Sequence, residues 1–359
     1  TSRASSCASW PRATAPPRMP DAAPARLSGL VADTRSLALV GLAKNTGKTV
    51  TLRAILAEHA AAGRTVGVTS IGRDGERHDV IDARIEKPSI ELQAGDLVAS
   101  TGALLRSSGV AHERLQQTGV RTPLGEVVLA RLLEPGAIEV AGPSAAADAR
   151  AVAKRMLELG AAQALIDGAI DRRAASSPDV ADGLVIATGA ILAERLDEVV
   201  ARTRDAVDLV RLARAEPDGE HVTVTRSLAL NAEPEQIAAL LRKHPHTETF
   251  VIDGALGERF LDGLLAARGE RAGRELRIVA ADPTHVFLTR RGPHWYARQG
   301  ISIEVLQTIA LKAITVNPLA PQSHSFDSRE LRESIESAVS DVPVLDVLDA
   351  SYLATARGA

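Results

Sequence analysis

The chain has 359 residues, is 45% hydrophobic and 24% charged, and carries a formal net charge of -3. This is ordinary globular composition, and it leaves no electrostatic case for nucleic acid or an anionic membrane as partner. No apolar run approaches the ~18 residues that span a bilayer, and the single cysteine, Cys7, excludes an internal disulfide framework or cysteine-based metal site.

Residues 1–34 read as a disordered leader. The first 18 are rich in Ser, Ala, Pro and Arg, contain no acid, and lack the apolar segment of a secretory signal. Met19 is the first methionine and the expected start of translation, and the expected location is cytoplasmic. Aromatics make up only 2% of residues, so the core is expected to be Ala, Val, Leu and Ile.

Residues 36–40 predict a short apolar strand. Residues 47–62 predict a helix, with Leu52, Ile55, Leu56 and His59 at helical spacing and Gly63 as its stop. Residues 65–71 are continuously apolar or β-branched, as in a buried parallel strand. Together they make a βαβ unit with a right-handed crossover. After an irregular stretch from 72 to 121, strands are expected at 97–100, 127–129 and 138–141. A break at Gly142-Pro143-Ser144 precedes an Ala-rich helix over 145–159. Strands at 164–166 and 183–187 follow, the second ending at Thr188-Gly189-Ala190 before a helix to about residue 200. Further strands are expected at 221–225, 250–252, 277–280, 313–316 and 342–348. The alternation predicts a mostly parallel sheet flanked by helices: a P-loop domain over 35–215 and a C-terminal α/β region over 216–359, either extending that sheet or forming a second lobe. One internal echo, Leu165-Ile166-Asp167-Gly168-Ala169 against Val251-Ile252-Asp253-Gly254-Ala255, delivers an acid and a glycine to a strand's end twice.

The segment from Gly41 to Thr49, Gly-Leu-Ala-Lys-Asn-Thr-Gly-Lys-Thr, carries the chemistry. A bound triphosphate needs backbone N–H donors, a helix N-terminus, a mobile cation and a metal ligand. Gly41 and Gly47 let backbone approach phosphate, Lys48 can reach the β- and γ-phosphates, and Thr49 can ligate Mg2+. Asn45, Thr46 and Val50 complete the loop, and Lys44 adds a second cation. The chain has only six lysines, and two stand here. The usual pattern places four residues between the first glycine and Gly-Lys, whereas five stand here.

That spacing resembles the dethiobiotin synthetase group, which includes the cobyrinic-acid amide synthases, and the Lys-Asn-Thr-Gly-Lys-Thr core is similar to molybdopterin-guanine-dinucleotide adaptor proteins. In the dethiobiotin synthetase group an Asn after a late strand contacts the nucleotide base, which by resemblance points to Asn317; an Asn-Pro turn without a ligand is the alternative. The group's enzyme has a Lys-Pro pair on its second strand, facing the reacting carbamate. Here that stretch has no lysine and Lys87-Pro88 comes later, so carboxylation chemistry is not expected. Over residues 36–215 the chain resembles the P-loop subunit of the reactivase for B12-dependent lysine 5,6-aminomutase. The motifs are the loop through Leu52, Thr69-Ser70-Ile71-Gly72-Arg73-Asp74-Gly75-Glu76, Thr122-Pro123-Leu124-Gly125-Glu126-Val127-Val128, Ala141-Gly142-Pro143-Ser144 and Asp167-Gly168-Ala169-Ile170-Asp171-Arg172. The resemblance implies ATP hydrolysis that drives release of damaged cobalamin from a partner protein, either a cobalamin-dependent enzyme or one reached through a second reactivase subunit; homodimerisation is left open. The alternatives are an ATP-dependent ligase or kinase and a non-catalytic nucleotide-binding adaptor.

Magnesium on phosphate takes hydroxyl and carboxylate oxygens at strand C-termini. Asp167 and Asp74 are the first candidates, with Asp167 also assigned to catalysis beside Lys48 and Lys44; capping or turn roles compete. Glu76 and Asp171 are second choices, and Arg73 is a candidate charge clamp. Ser144 reads as a helix cap, Thr188-Gly189-Ala190 as an anion-binding turn, and Trp295 and Tyr296 as core packing or a ligand patch. His244, His246, His285 and His294 lack metal-ligand spacing.

Overall fold

The computed structural model describes residues 26–71, 89–168, 176–216, 219–267, 274–321, 323–349 and 352–353. The first half holds α1 (Leu27–Leu30), β1 (Ser36–Gly41), α2 (Lys48–Ala61), β2 (Val66–Ile71), β3 (Ile90–Leu92), β4 (Leu97–Thr101), α3 (Gly102–Ser107), β5 (His112–Thr122), β6 (Gly125–Leu132), β7 (Gly136–Ile138), α4 (Ala146–Glu158), β8 (Gln163–Gly168), β9 (Gly183–Gly189) and α5 (Leu196–Val210). The middle holds β10 (Ala213–Arg214), β11 (His221–Val224), α6 (Arg226–Asn231), α7 (Pro234–Lys243), β12 (Thr249–Ile252), β13 (Leu256–Gly257), α8 (Glu258–Ala267), β14 (Leu276–Ala280), β15 (Val286–Phe287), α9 (Pro293–Arg298) and β16 (Ile301–Val305). The chain closes with β17 (Ala310–Asn317), α10 (Ser328–Val339) and β18 (Val344–Leu345).

Nine strands form one sheet in the order β18-β17-β9-β1-β8-β2-β4-β6-β5. It is parallel from β18 to β4 and antiparallel only at the β6 and β5 edge. Helices cover both faces, and the period of two along each strand divides the core accordingly. Leu37 and Leu39 of β1 join one apolar layer with Leu52 and Ile55 of α2, while Ala38 joins the opposite layer with Ala149 of α4, Val199 of α5 and Leu331 of α10. A strand sandwiched this way is apolar at successive positions, which is why β1, β2, β8 and β9 read as unbroken runs.

A second sheet, all parallel, runs β10-β16-β14-β12-β11. Its core gathers Phe250, Phe260 and Tyr296, a large share of the chain's few aromatics. In sequence it interrupts the first sheet, because β17 returns to pair with β9. The two halves of the internal echo therefore fall on different sheets: Asp167 on β8, Asp253 just after β12.

Several expected elements differ in extent. The strand expected at 138–141 ends at Ile138; beyond it the backbone is held by side chains, with the Ser100 hydroxyl donating to Glu139 O (3.0 Å) and accepting from Ala141 N (3.0 Å). The strand expected over 342–348 shrinks to Val344–Leu345, because the Asp346 carboxylate turns back to accept from Leu348 N and the Ser328 hydroxyl. A short 3-10 turn (Ala190–Leu192) separates β9 from α5, which extends ten residues past the expected end, to Val210. Among the described residues no helix is long and apolar enough to cross a membrane.

Candidate functional site

At the carboxyl edge of the large sheet, β1 ends at Gly41 and α2 begins at Lys48. The bend between them is fixed at several points. Leu42 N donates to Ala187 O (2.9 Å), and the buried Thr46 hydroxyl donates to Ala43 O (3.0 Å). Thr51, one turn into α2, donates its hydroxyl proton to Gly47 O (3.2 Å) and, with that proton committed, accepts from the Thr315 hydroxyl on β17 (2.7 Å). Two residues take left-handed backbone, Asn45 at φ 63 and Gly47 at φ 90, conformations that asparagine tolerates and glycine prefers. This geometry turns successive N–H groups away from internal acceptors: among the described residues, none of the N–H groups from Ala43 to Gly47 meets hydrogen-bond geometry with a protein acceptor. Oriented donors without partners at a strand-to-helix bend form an anion-binding concavity.

Lys48 points from the first turn of α2 to the neighbouring strand, where its ammonium pairs with Asp167 Oδ1. Both side chains are largely withdrawn from solvent, at 18% and 15% exposure. The register explains the meeting. Asp167 lies opposite Leu39 on β1 and opposite Ser70 on β2, one residue before β8 ends, so its carboxylate stands beside the loop. Thr49 and Val50 are half-buried on the same helical turn, and Lys44 is exposed at the tip of the bend.

Asn317 arrives from a distant part of the chain. Its side-chain amide donates to Asn45 O (2.8 Å), and its side-chain carbonyl accepts from Leu319 N (3.1 Å). Its contacts leave no room on either side: a Cβ added to Gly47 would lie 3.2 Å from Asn317 Cβ, and one added to Gly189 would lie 2.2 Å from Asn317 O. Asn317 thus sits at the loop and braces it. The two threonine partners Thr51 and Thr315 carry no functional signal of their own in the sequence, and Gly189, read there as part of an anion-binding turn, instead gives room to Asn317. Thr51 lies one helical turn after Gly47, a spacing visible in advance, whereas the 264-residue separation of Thr51 from Thr315 leaves no local signal.

Asp74, Arg73, Glu76, Asp171 and Lys87-Pro88 lie outside the described residues. The Thr188 hydroxyl is hydrogen-bonded to that of Thr203 (2.7 Å), and Thr188 and Gly189 lie beside Val316 and Asn317 of β17, so the turn expected to bind an anion through its backbone N–H groups stands next to Asn317. The cap of α4 is Ala145 and not Ser144. Asp253 is exposed in the second lobe. Tyr296 is fully buried there, with its hydroxyl on Asp262 (2.9 Å), Trp295 edge-on to it (5.0 Å) and the Arg291 guanidinium 3.9 Å above the Trp295 ring, a packed arrangement and not an open aromatic patch. His285 rests on Asp282 (3.2 Å) and His294 on Asp208 (3.4 Å). Among the described residues, no group of three or more His, Cys, Asp or Glu side chains could hold a metal ion. The oxygen donors at the loop are the Thr49 hydroxyl and the Asp167 carboxylate. Two such donors suit a hard cation that takes its other ligands from phosphate and water.

No family model, curated protein or solved structure matches the chain.

Proposed function

We propose that the chain is a P-loop nucleoside-triphosphate-binding protein that hydrolyses ATP and couples the cycle to a partner protein. The observation that carries this reading is the row of unpartnered N–H groups from Ala43 to Gly47, set between β1 and α2 with Lys48 at its end. Unpartnered backbone donors beside an ammonium match the three-oxygen, multiply charged tail of a triphosphate better than any neutral ligand.

The Lys48–Asp167 pair supports a specific order of events. An entering triphosphate offers Lys48 more negative charge than one carboxylate does, so the ammonium exchanges partners and Asp167 is released. Asp167 and the Thr49 hydroxyl would then hold Mg2+, which when bound neutralises charge on the phosphates. Asp74 stays the further metal candidate, and Lys44, exposed in the bend, is the candidate second cation for phosphate, from the same or a partner chain. Asn317, held over the loop at its open edge, is the candidate base contact.

The coupling half of the proposal is supported by connectivity. Only residues 306–309 separate β16 of the second sheet from β17, and β17 ends on the loop through Thr315 and Asn317. A displacement of the second lobe by a partner therefore has a short covalent route to the phosphate grip. The partner implied is a cobalamin-dependent enzyme or a companion reactivase subunit.

Calorimetric titration with ATP and Mg2+ tests the site. Lys48→Ala should weaken binding about a hundredfold or more; because it also leaves the largely buried Asp167 carboxylate without its partner, the melting temperature of the free chain should fall, and a Lys48→Ala, Asp167→Asn chain separates that loss of stability from the loss of binding. Equal affinity in the variant would remove the assignment.

A further inference from the structure

A second place on the same sheet edge carries unbalanced positive charge. Strand β4 ends at Thr101, and the chain turns through Gly102 into α3. A Cβ built on Gly102 would meet Arg114 Nη2 at 3.1 Å and Arg106 Nη1 at 3.4 Å. Two guanidinium groups from different elements, β5 and α3, thus approach the open side of Gly102. Among the described residues neither has a carboxylate within salt-bridge distance. Directly before Gly102, Thr101 is fully buried and its hydroxyl has no hydrogen-bond partner.

Like charges held together without a counterion repel, and an oxyanion between them turns that repulsion into two charge-assisted hydrogen bonds. Arginine's planar fork suits the paired oxygens of a carboxylate or phosphate. The position is also where ligands sit in sheets of this kind, just outside the carboxyl end of a parallel strand. Helix α3 packs through Leu105 into the same apolar layer as Leu52 and Ile55 of α2, so the arginine pair and the phosphate loop share one face as well as one edge. Strands β8 and β2 separate β1 from β4, which sets the two places about 14 Å apart at ~4.8 Å per strand.

We propose that Arg106 and Arg114, with Thr101 and Gly102, form a second anion site that holds the carboxylate or phosphate group of a small-molecule ligand. Its role as the acceptor or effector side of the nucleotide site rests on the function proposed above; the anion site itself does not.

The test uses the full chain carrying Lys48→Ala, which removes the ammonium of the phosphate loop; the loop's amides remain, so the arginine-dependent part of the binding is what is read, and a failed nucleotide assignment leaves this measurement intact. Titration with inorganic phosphate and, separately, with succinate should show one equivalent bound. Adding Arg106→Gln and Arg114→Gln should weaken that binding about tenfold or more, and raised salt should weaken it in the parent but little in the double variant. Whichever probe binds more tightly distinguishes a phosphate from a carboxylate ligand. Both arginines are exposed, so an unchanged melting temperature is expected and separates lost binding from lost fold. Absence of binding to the Lys48→Ala chain, or equal binding after both arginines are replaced, would overturn the site. Saturating probe should also shift ATP affinity in the wild-type chain; an unchanged ATP isotherm would overturn the acceptor role alone.

Discussion

Lys48 and Asp167 satisfy each other, and that pairing predicts how each behaves when altered. If a triphosphate must draw Lys48 from Asp167, then Asp167→Asn removes the competitor. Affinity for metal-free ATP should rise about three- to tenfold, while the gain from adding magnesium should shrink, because one metal ligand is gone. Isothermal titrations in EDTA and in magnesium measure both, and a fall in metal-free affinity would contradict the exchange. At the other end of α2, His59 is buried, with Nε2 on Gln163 Oε1 (3.1 Å) and Nδ1 without a partner. Desolvation holds its imidazole below the ordinary 6.5, outweighing the Gln163 bond and nearby Glu58 and Asp96, which favour the charged form; Arg64 adds to the lowering. The unfolded chain therefore takes up this proton at a higher pH than the folded one. The stability His59 contributes is complete above about pH 6.5 and is lost as pH falls toward the folded value. Denaturation curves from about pH 7.5 to about pH 5 should show a steeper loss for the wild-type chain than for His59→Gln; parallel curves would contradict the account.

Elements buried on both faces are legible because their sequence has only one environment to answer to. Strands β1, β2, β8 and β9 show as apolar runs stopped by glycine or a polar turn, and α2 shows through its spacing of Leu52, Ile55 and Leu56. The β5–β6 hairpin is not legible in the same way. Most of β5 faces water at alternate or successive positions, and its register slips between Arg114 and Gln116 and again before Arg121, so no period of two survives. Asp167 could be singled out because an apolar strand ending in Asp-Gly is a local pattern; the bracing role of Asn317 could not, since it depends on β17 lying beside β9. The close fit of these elements has its own consequence. A Cβ on Gly67 of β2 would lie 2.7 Å from Met156 Sδ and 2.8 Å from Met156 Cβ. A rotamer change moves the sulfur but not Cβ, so Gly67→Ala should destabilise the chain by about 1–3 kcal/mol. Urea denaturation measures it, and an unchanged midpoint would mean that α4 shifts freely on the sheet.

Across the molecule, the order of strands in space departs from their order in sequence at one place that matters. The second sheet lies between β9 and β17 in the chain, yet β17 sits beside β9 in the large sheet. Apolar runs such as Phe250–Val251–Ile252 and Ala313–Ile314–Thr315–Val316 look alike locally, and only long-range packing decides that the first joins the small sheet and the second the large one. The outcome is a β1–α2 loop contacted from three directions: by its own helix, by Asp167 on β8, and by Asn317 at the end of the strand that leads back from the second lobe. The most direct measurement is a crystal structure of the full chain grown with a non-hydrolysable ATP analogue and magnesium. The polyphosphate should lie within hydrogen-bond distance of the Ala43–Gly47 amides, with the Lys48 ammonium moved from Asp167 onto a phosphate oxygen. An analogue bound elsewhere, with Lys48 still on Asp167 and no anion in the bend, would contradict it.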